Sequence, residues 1–226
     1  MDKREVKLSR RDNYSNVMSL CLLALFSFLM LHTALAQNAG MDVKKLSQDT
    51  VVVGVFDYDL AVQIVEETNL QRKAKGLAPL KMTRTLTEAA MLRAAEAMPG
   101  LPHPNDNPHY RPNGESCFSV LDQDNKGTYQ AENYFCGGSD AKQMVGLWMQ
   151  SEGHRRNILN SKLTAIGVGA FKWYDDDGAL SGMTVGMQLF TNCASTEKYH
   201  PTGTDKVQVQ ITSQPGELSK VLRHLK

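Results

Sequence analysis

Apolar side chains recur at helical spacing in three stretches of this chain. After Asp59, a good N-cap, Leu60, Ile64, Val65 and Leu70 share one face of a helix predicted to run to residue 75, with Gly76 where a C′ glycine belongs. A second helix is predicted from the capping box Thr85-Leu86-Thr87-Glu88. Leu86, Ala89, Ala90, Ala94 and Ala97 give it a narrow face of small residues, suited to close approach, and Pro99-Gly100 ends it. A third is predicted from Ser139 or Asp140, with Met144, Val145, Trp148 and Met149 as its apolar stripe. Gly153 is expected to break it, leaving His154 just past its end and a short helical turn over residues 155–159.

Strand-like patterns close the chain. Residues 165–171 and 183–190 read as a hairpin, with Asp175-Asp176-Asp177-Gly178 in the connection as turn chemistry. That acidic run lacks the spaced oxygen ligands and terminal Glu of an EF-hand loop, so it is read as a turn and not a calcium site. Residues 51–56 are a short strand or a stretch docked on the domain, and 118–121 and 132–135 are brief extended pieces around a turn at 122–127. Residues 99–116 form a Pro/Asn/Gly-rich loop of the length that compact domains tend to reserve for function. Residues 207–211 are a possible strand, and Leu218, Val221, Leu222 and Leu225 mark a short helix. No internal repeat is present.

The first residues are read as an address. Lys3, Arg4, Lys7, Arg10 and Arg11 precede an apolar run over residues 18–31, followed by Ala34-Leu35-Ala36. A charged start, an apolar core short for a bilayer and an A-x-A-like site in that order predict a signal peptide over residues 1–36. The expected layout is then a leader at 37–58, a domain at 59–193 and a C-terminal extension at 194–226. Export makes the chain secreted, extracellular or periplasmic, with no stable membrane anchor after cleavage. Residues 1–36 hold 5 of the 25 basic and 3 of the 24 acidic side chains, leaving 20 against 21. The charges are interspersed, so no nucleic-acid partner is expected. Cys117, Cys136 and Cys193 are an odd set: one bridge with one free thiol, or three reduced thiols, both fit.

Candidate chemistry concentrates in His109 of His-Tyr-Arg-Pro-Asn-Gly, Glu132 of Ala-Glu-Asn-Tyr, and His154 of Ser-Glu-Gly-His-Arg-Arg-Asn-Ile-Leu. Two imidazoles and a carboxylate are ligand types that hold zinc with an open position. His103 is expected to be a solvated loop residue, Trp148 a core residue, and Arg111 either a brace for Glu132 or another acid, or a cover for the loop. Glu115 is the reserve carboxylate.

These stretches, with residues 68–77, Trp148 through Leu159 and Ile166-Gly167-Val168-Gly169, resemble in order and wording the CAP superfamily. This superfamily comprises cysteine-rich secretory proteins, venom antigens and plant pathogenesis-related proteins; the likeness is to its bacterial SCP-like extracellular members. The resemblance implies an α+β fold, a CAP-type α/β/α sandwich with a small central antiparallel sheet and a cleft lined by two histidines and acidic residues. Carried over residue by residue, it implies His109, His154 and Glu132 as metal ligands for zinc or another divalent ion. Where the family's fuller form has a second Glu, this chain has Ser151, with Glu152 beside it; Glu152 or a water then completes the cleft.

Two functions follow as expectations. One is a binding module whose cleft (His109, Glu132, Glu152, His154) holds a divalent metal and an extracellular peptide, lipid or glycan. The alternative is a metal-dependent hydrolase, a peptidase, with Glu152 or Glu132 as the catalytic base for a bound water. No nucleophile motif and no H-E-x-x-H is present. A purely structural surface protein is the third.

Overall fold

The computed structural model describes residues 49–193 and 199–225, so the predicted signal segment and its cleavage point lie outside the described residues. Its elements are β1 (Thr50–Asp57), α1 (Tyr58–Lys73), β2 (Lys81–Met82), α2 (Arg84–Glu96), α3 (Gln123–Lys126), β3 (Gln130–Gly137), α4 (Ala141–Gln150) and α5 (Glu152–Ile158). The strands β4 (Ala165–Trp173), β5 (Thr184–Thr191), β6 (Thr204–Ile211) and β7 (Lys220–Leu225) follow. Single 3-10 turns lie at Pro104–Asp106 and at Cys117–Val120, the latter where a brief strand was expected.

Helix starts are set by side-chain caps. Asp57 Oδ1 accepts from Leu60 N at 2.9 Å, so α1 begins ahead of the expected Asp59. Thr83 Oγ1 accepts from Leu86 N at 3.3 Å, so Thr83 and not Thr85 caps α2. Asp140 caps α4 as its sequence predicts, taking Gln143 N at 2.6 Å. Ser151, in an extended conformation, both ends α4 and starts α5. His154 therefore lies in the first turn of a helix, not beyond the end of one.

The described strands form one seven-stranded sheet in the order β3-β5-β4-β1-β6-β7, with β2 pairing parallel to β4 over two residues. Every other pairing is antiparallel. The sheet is larger than the small one expected, because β1 lies inside it between β4 and β6 and the last two strands extend it. The segments expected as leader and extension are thus built into the same sheet. The stretch expected as a short helix instead forms strand β7 over Lys220–Leu225: its backbone satisfies the free edge of β6, and that pairing overrides a helical spacing of four apolar residues.

Both sheet faces are covered, which makes β4 and β5 buried almost throughout and explains their unbroken apolar runs. Neighbouring strand residues point to opposite faces. A Cβ on Gly167 or Gly169 would lie 2.0 Å from the backbone of Leu86 or Ala90, so these glycines and the alanine face of α2 permit a close approach. On the other face, Gln188 Nε2 donates to Thr68 Oγ1 of α1 at 2.7 Å, and Gly186 lies against Met144 and Trp148 of α4. The result is a layered α/β/α arrangement within the α+β class. Phe56, Leu60, Ile64, Met144, Trp148, Phe171 and Phe190 fill its main core.

Candidate functional site

Strand β3 is the outer strand at one end of the sheet, and its two adjacent residues organise the site from opposite faces. Glu132 pairs across with Leu189 and turns to the α2 layer; Asn133 pairs with Gln188 and turns to the α1, α4 and α5 layer. Glu132 Oε1 accepts from His109 Nδ1 at 2.8 Å, and its Oε2 accepts from Arg93 Nε at 3.2 Å. Asn133 Nδ2 donates to the His154 carbonyl at 3.3 Å and to Gln188 Oε1 at 2.9 Å. Asn157 Nδ2 returns to Asn133 Oδ1 at 2.9 Å and to the Glu132 carbonyl at 3.1 Å, locking α5 to the strand. Strand β3 thereby ties the loop carrying His109 and the helix carrying His154 to one sheet edge, near enough for the His109 charge to act on His154.

The His-Tyr-Arg-Pro-Asn-Gly segment is a small hairpin. Tyr110 bridges Ser116, Arg111 N donates to Glu115 O at 2.9 Å, and Gly114 N donates to Arg111 O at 2.9 Å. Pro112 has the fixed φ that such a turn wants, and Gly114 supplies the positive φ of +88°. Arg111 folds inward and is buried. Its Nη2 lies 2.6 Å from Glu96 Oε1, its Nε 3.0 Å from Glu96 Oε2, and its Nη1 3.0 Å from Ser119 Oγ. The acid it braces is Glu96.

Arg93 and Glu96 are the residues that sequence reasoning missed. Arg93 Nη1 bonds Glu96 Oε2 at 2.8 Å and Nη2 bonds the Pro108 carbonyl at 2.5 Å, next to His109. The buried ladder Glu132–Arg93–Glu96–Arg111 alternates charge and joins β3, α2 and the hairpin, with the half-exposed His109 at its end. Its signal was an Arg and a Glu three residues apart among the alanines of a buried helix face, a placement ionic side chains take only when paired.

Electrostatics favour a neutral His154. Burial, joined by the nearby charge of His109, pushes its pKa below the ordinary histidine value. The first turn of α5 offers no acceptor end of a helix to favour an imidazolium, unlike the position just past a helix end expected for His154. His103 is half-buried and not solvated: its Nδ1 meets the Tyr110 carbonyl at 2.8 Å and its Nε2 is buried without a partner. Burial raises the Cys117 thiol to about 12, with the Glu132 charge adding to it, so the sulfur is a neutral wall of the site. Cys117, Cys136 and Cys193 are free thiols. Glu152 is exposed at the start of α5, and Glu115 is a partly exposed neighbour of Arg111. Trp148 is core, its Nε1 donating to the Tyr134 carbonyl at 2.9 Å.

Glu132 has both oxygens engaged, by His109 and by Arg93, which sets it behind the His109 ring. A carboxylate holding Nδ1–H fixes the tautomer and leaves Nε2 with a free lone pair. Among the described residues no three His, Cys, Asp or Glu side chains are gathered into a metal-holding group.

A three-layer α+β fold with this hairpin, carboxylate and second histidine defines a class. The family model described as the Cysteine-rich secretory protein family, CAP, matches residues 65–187, more than half of the chain, and the chain belongs to that family. Uncharacterized protein YkwD of Bacillus subtilis is 35% identical over 108 residues, covering 47% of this chain. The chain spans 40% of that relative's length. Among solved structures, an extracellular SCP-domain protein of Bacillus anthracis is 22% identical, covering 60% of this chain and 41% of that one at a TM-score of 0.45. An outer surface protein of Borrelia burgdorferi is 18% identical, covering 60% and 94% at a TM-score of 0.46. Strands β1, β6 and β7 lie outside the family match.

Proposed function

We propose that this CAP protein is an exported binding module whose His109 and His154 imidazoles hold a divalent metal at the β3 edge, beside the surface that meets an extracellular ligand. The observation that carries the reading is the 2.8 Å contact of His109 Nδ1 with Glu132, which reserves Nε2 for a ligand. The depressed pKa of His154 supports it, because a metal requires neutral imidazole. A bound divalent ion would supply an electrophilic centre for a ligand oxygen. Glu132 orients one imidazole, Asn133 and Asn157 hold the helix of the other, and Arg93 keeps Glu132 paired. The hydrolase alternative has less support, since Glu132 is engaged by two partners and Glu152 is exposed. Export rests on the charged start, apolar run and Ala34-Leu35-Ala36.

The test uses protein recovered outside the cell, whose intact mass should correspond to a start at Gln37. Calorimetric titration with Zn²⁺ should then give one site whose affinity falls as pH drops through ~6.5, where protons compete for imidazole. His154→Ala should weaken binding and flatten that pH dependence. Glu132→Gln should weaken binding while keeping most of its steepness. Equal zinc binding by wild type and both variants from pH 5 to 8 would remove these residues from the site.

A further inference from the structure

The end of the sheet opposite the candidate site carries a second feature. Strand β7 pairs with β6 on one side only, and among the described strands nothing pairs with its other side. An unpaired edge presents outward N–H and C=O groups at every second residue, a template for another extended segment. Val221 and Leu222 on the strand are 36% and 45% exposed, and Leu218 just before it is 54% exposed. The charges on β7 itself are of one sign. Between Glu217 and Lys226 the sequence is Leu-Ser-Lys-Val-Leu-Arg-His-Leu, with no acidic residue. The nearby carboxylate of Asp205 is already held by His224 Nδ1 at 2.5 Å.

We infer that β7 is a docking edge for an extended acidic peptide segment of a partner protein, which adds to the sheet as a further strand. Backbone bonds to β7 supply register, and Val221 and Leu222 offer apolar contact; Lys220 and the Arg223 guanidinium, whose Nε donates to Gln208 Oε1, select carboxylate side chains. Charge argues against a second copy as the occupant, since pairing two such strands sets Lys and Arg against Lys and Arg. An anionic lipid surface fits the charge and the leucines but offers hydrocarbon, not backbone partners, to an open strand edge. The register irregularity between Gln208 and Val209, where β7 holds Leu222 as an extra residue, keeps the edge from being flat and so from pairing indiscriminately. Because β7 lies outside the family-matched residues, this surface belongs to this chain's own extension.

The probe is a fluorescein-labelled peptide of alternating Glu and Val, with a Lys/Val peptide and phosphatidylglycerol/phosphatidylcholine vesicles as competitors for the same inference. Fluorescence anisotropy should show binding of the Glu/Val peptide that weakens with added salt, and amide exchange should slow at β7 and not at β3. The double variant Lys220→Glu/Arg223→Glu should lose about tenfold or more in affinity for that peptide and gain binding of the Lys/Val peptide. The gain shows that the variant is folded. The inference is overturned if the two peptides bind wild type alike or not at all, or if the double variant binds as wild type does. It is likewise overturned if β7 exchange is unchanged, if only vesicles bind, or if sedimentation shows wild type self-associating through this edge in place of peptide binding.

Discussion

Glu96 lies between the guanidinium groups of Arg93 and Arg111, and all three side chains are essentially inaccessible to water. Burial alone would raise its pKa, but the Arg111 hydrogen bonds and the two positive charges outweigh burial and hold it below the ordinary carboxylate value. The unfolded chain therefore binds the extra proton. The stabilisation from Glu96 is complete above its ordinary pKa of ~4.3 and is lost as pH falls below it toward the folded value. Glu96→Gln is expected to destabilise by about 3–5 kcal/mol at neutral pH, because two buried cations lose their shared anion. It should also flatten the acid limb. Urea unfolding of both proteins from pH 3 to 7 measures this; parallel curves would show that Glu96 carries no linkage. His109, Glu132 and His154 stood out in the sequence as candidates because each sits in a short recognisable run. Arg93 and Glu96 were not, since an Arg and a Glu on a helix read as solvated unless the neighbouring layer is known.

At the scale of the element, local signals told where helices are better than where they begin. Two threonines are candidates for the cap of α2. Thr83 has the extended backbone of a cap and accepts the Leu86 amide, whereas Thr85 is inside the helix. Thr83→Ala should cost about 1 kcal/mol, whereas Thr85→Ala, exposed within the helix, should cost nothing. Thermal melts of the two variants decide between them, and the reverse order would restore the sequence-based capping box. The same limit applies to Gly153, which looked like the break before His154. The chain instead turns at Ser151, where a serine in an extended conformation separates two helices without needing glycine. A residue's propensity sets how easily a turn forms; packing of α4 on α1 and of α5 on β3 sets where it falls.

For the whole molecule, β6 joins the sheet through every residue of β1, from Thr50↔Ile211 to Asp57↔Thr204. Val207, Val209 and Ile211 are buried by that arrangement. Each contributes about 1.5–3 kcal/mol by burial, so their sum rivals the roughly 5–15 kcal/mol that holds a whole domain folded. Removing residues 199–226 should therefore abolish cooperative unfolding and produce aggregation, with β1 left as an exposed valine-rich edge. Calorimetry and size-exclusion chromatography test this; an unchanged melting transition in the truncated protein would return the extension to the status of an appendage.

By itself the sequence determined the three long helices and most strands, the turn chemistry of the His109 hairpin and the order of motifs that marks the family, all of which depend on residues close together in the chain. Tertiary structure alone decided that residues 50–57 and 204–225 are parts of one sheet, because strand partners are chosen by hydrogen-bonding edges far apart in sequence. It also decided that Glu132 turns to His109 and Arg93. A strand sends alternate residues to opposite faces, and only the layers packed on those faces supply the partners that fix what each carboxylate does.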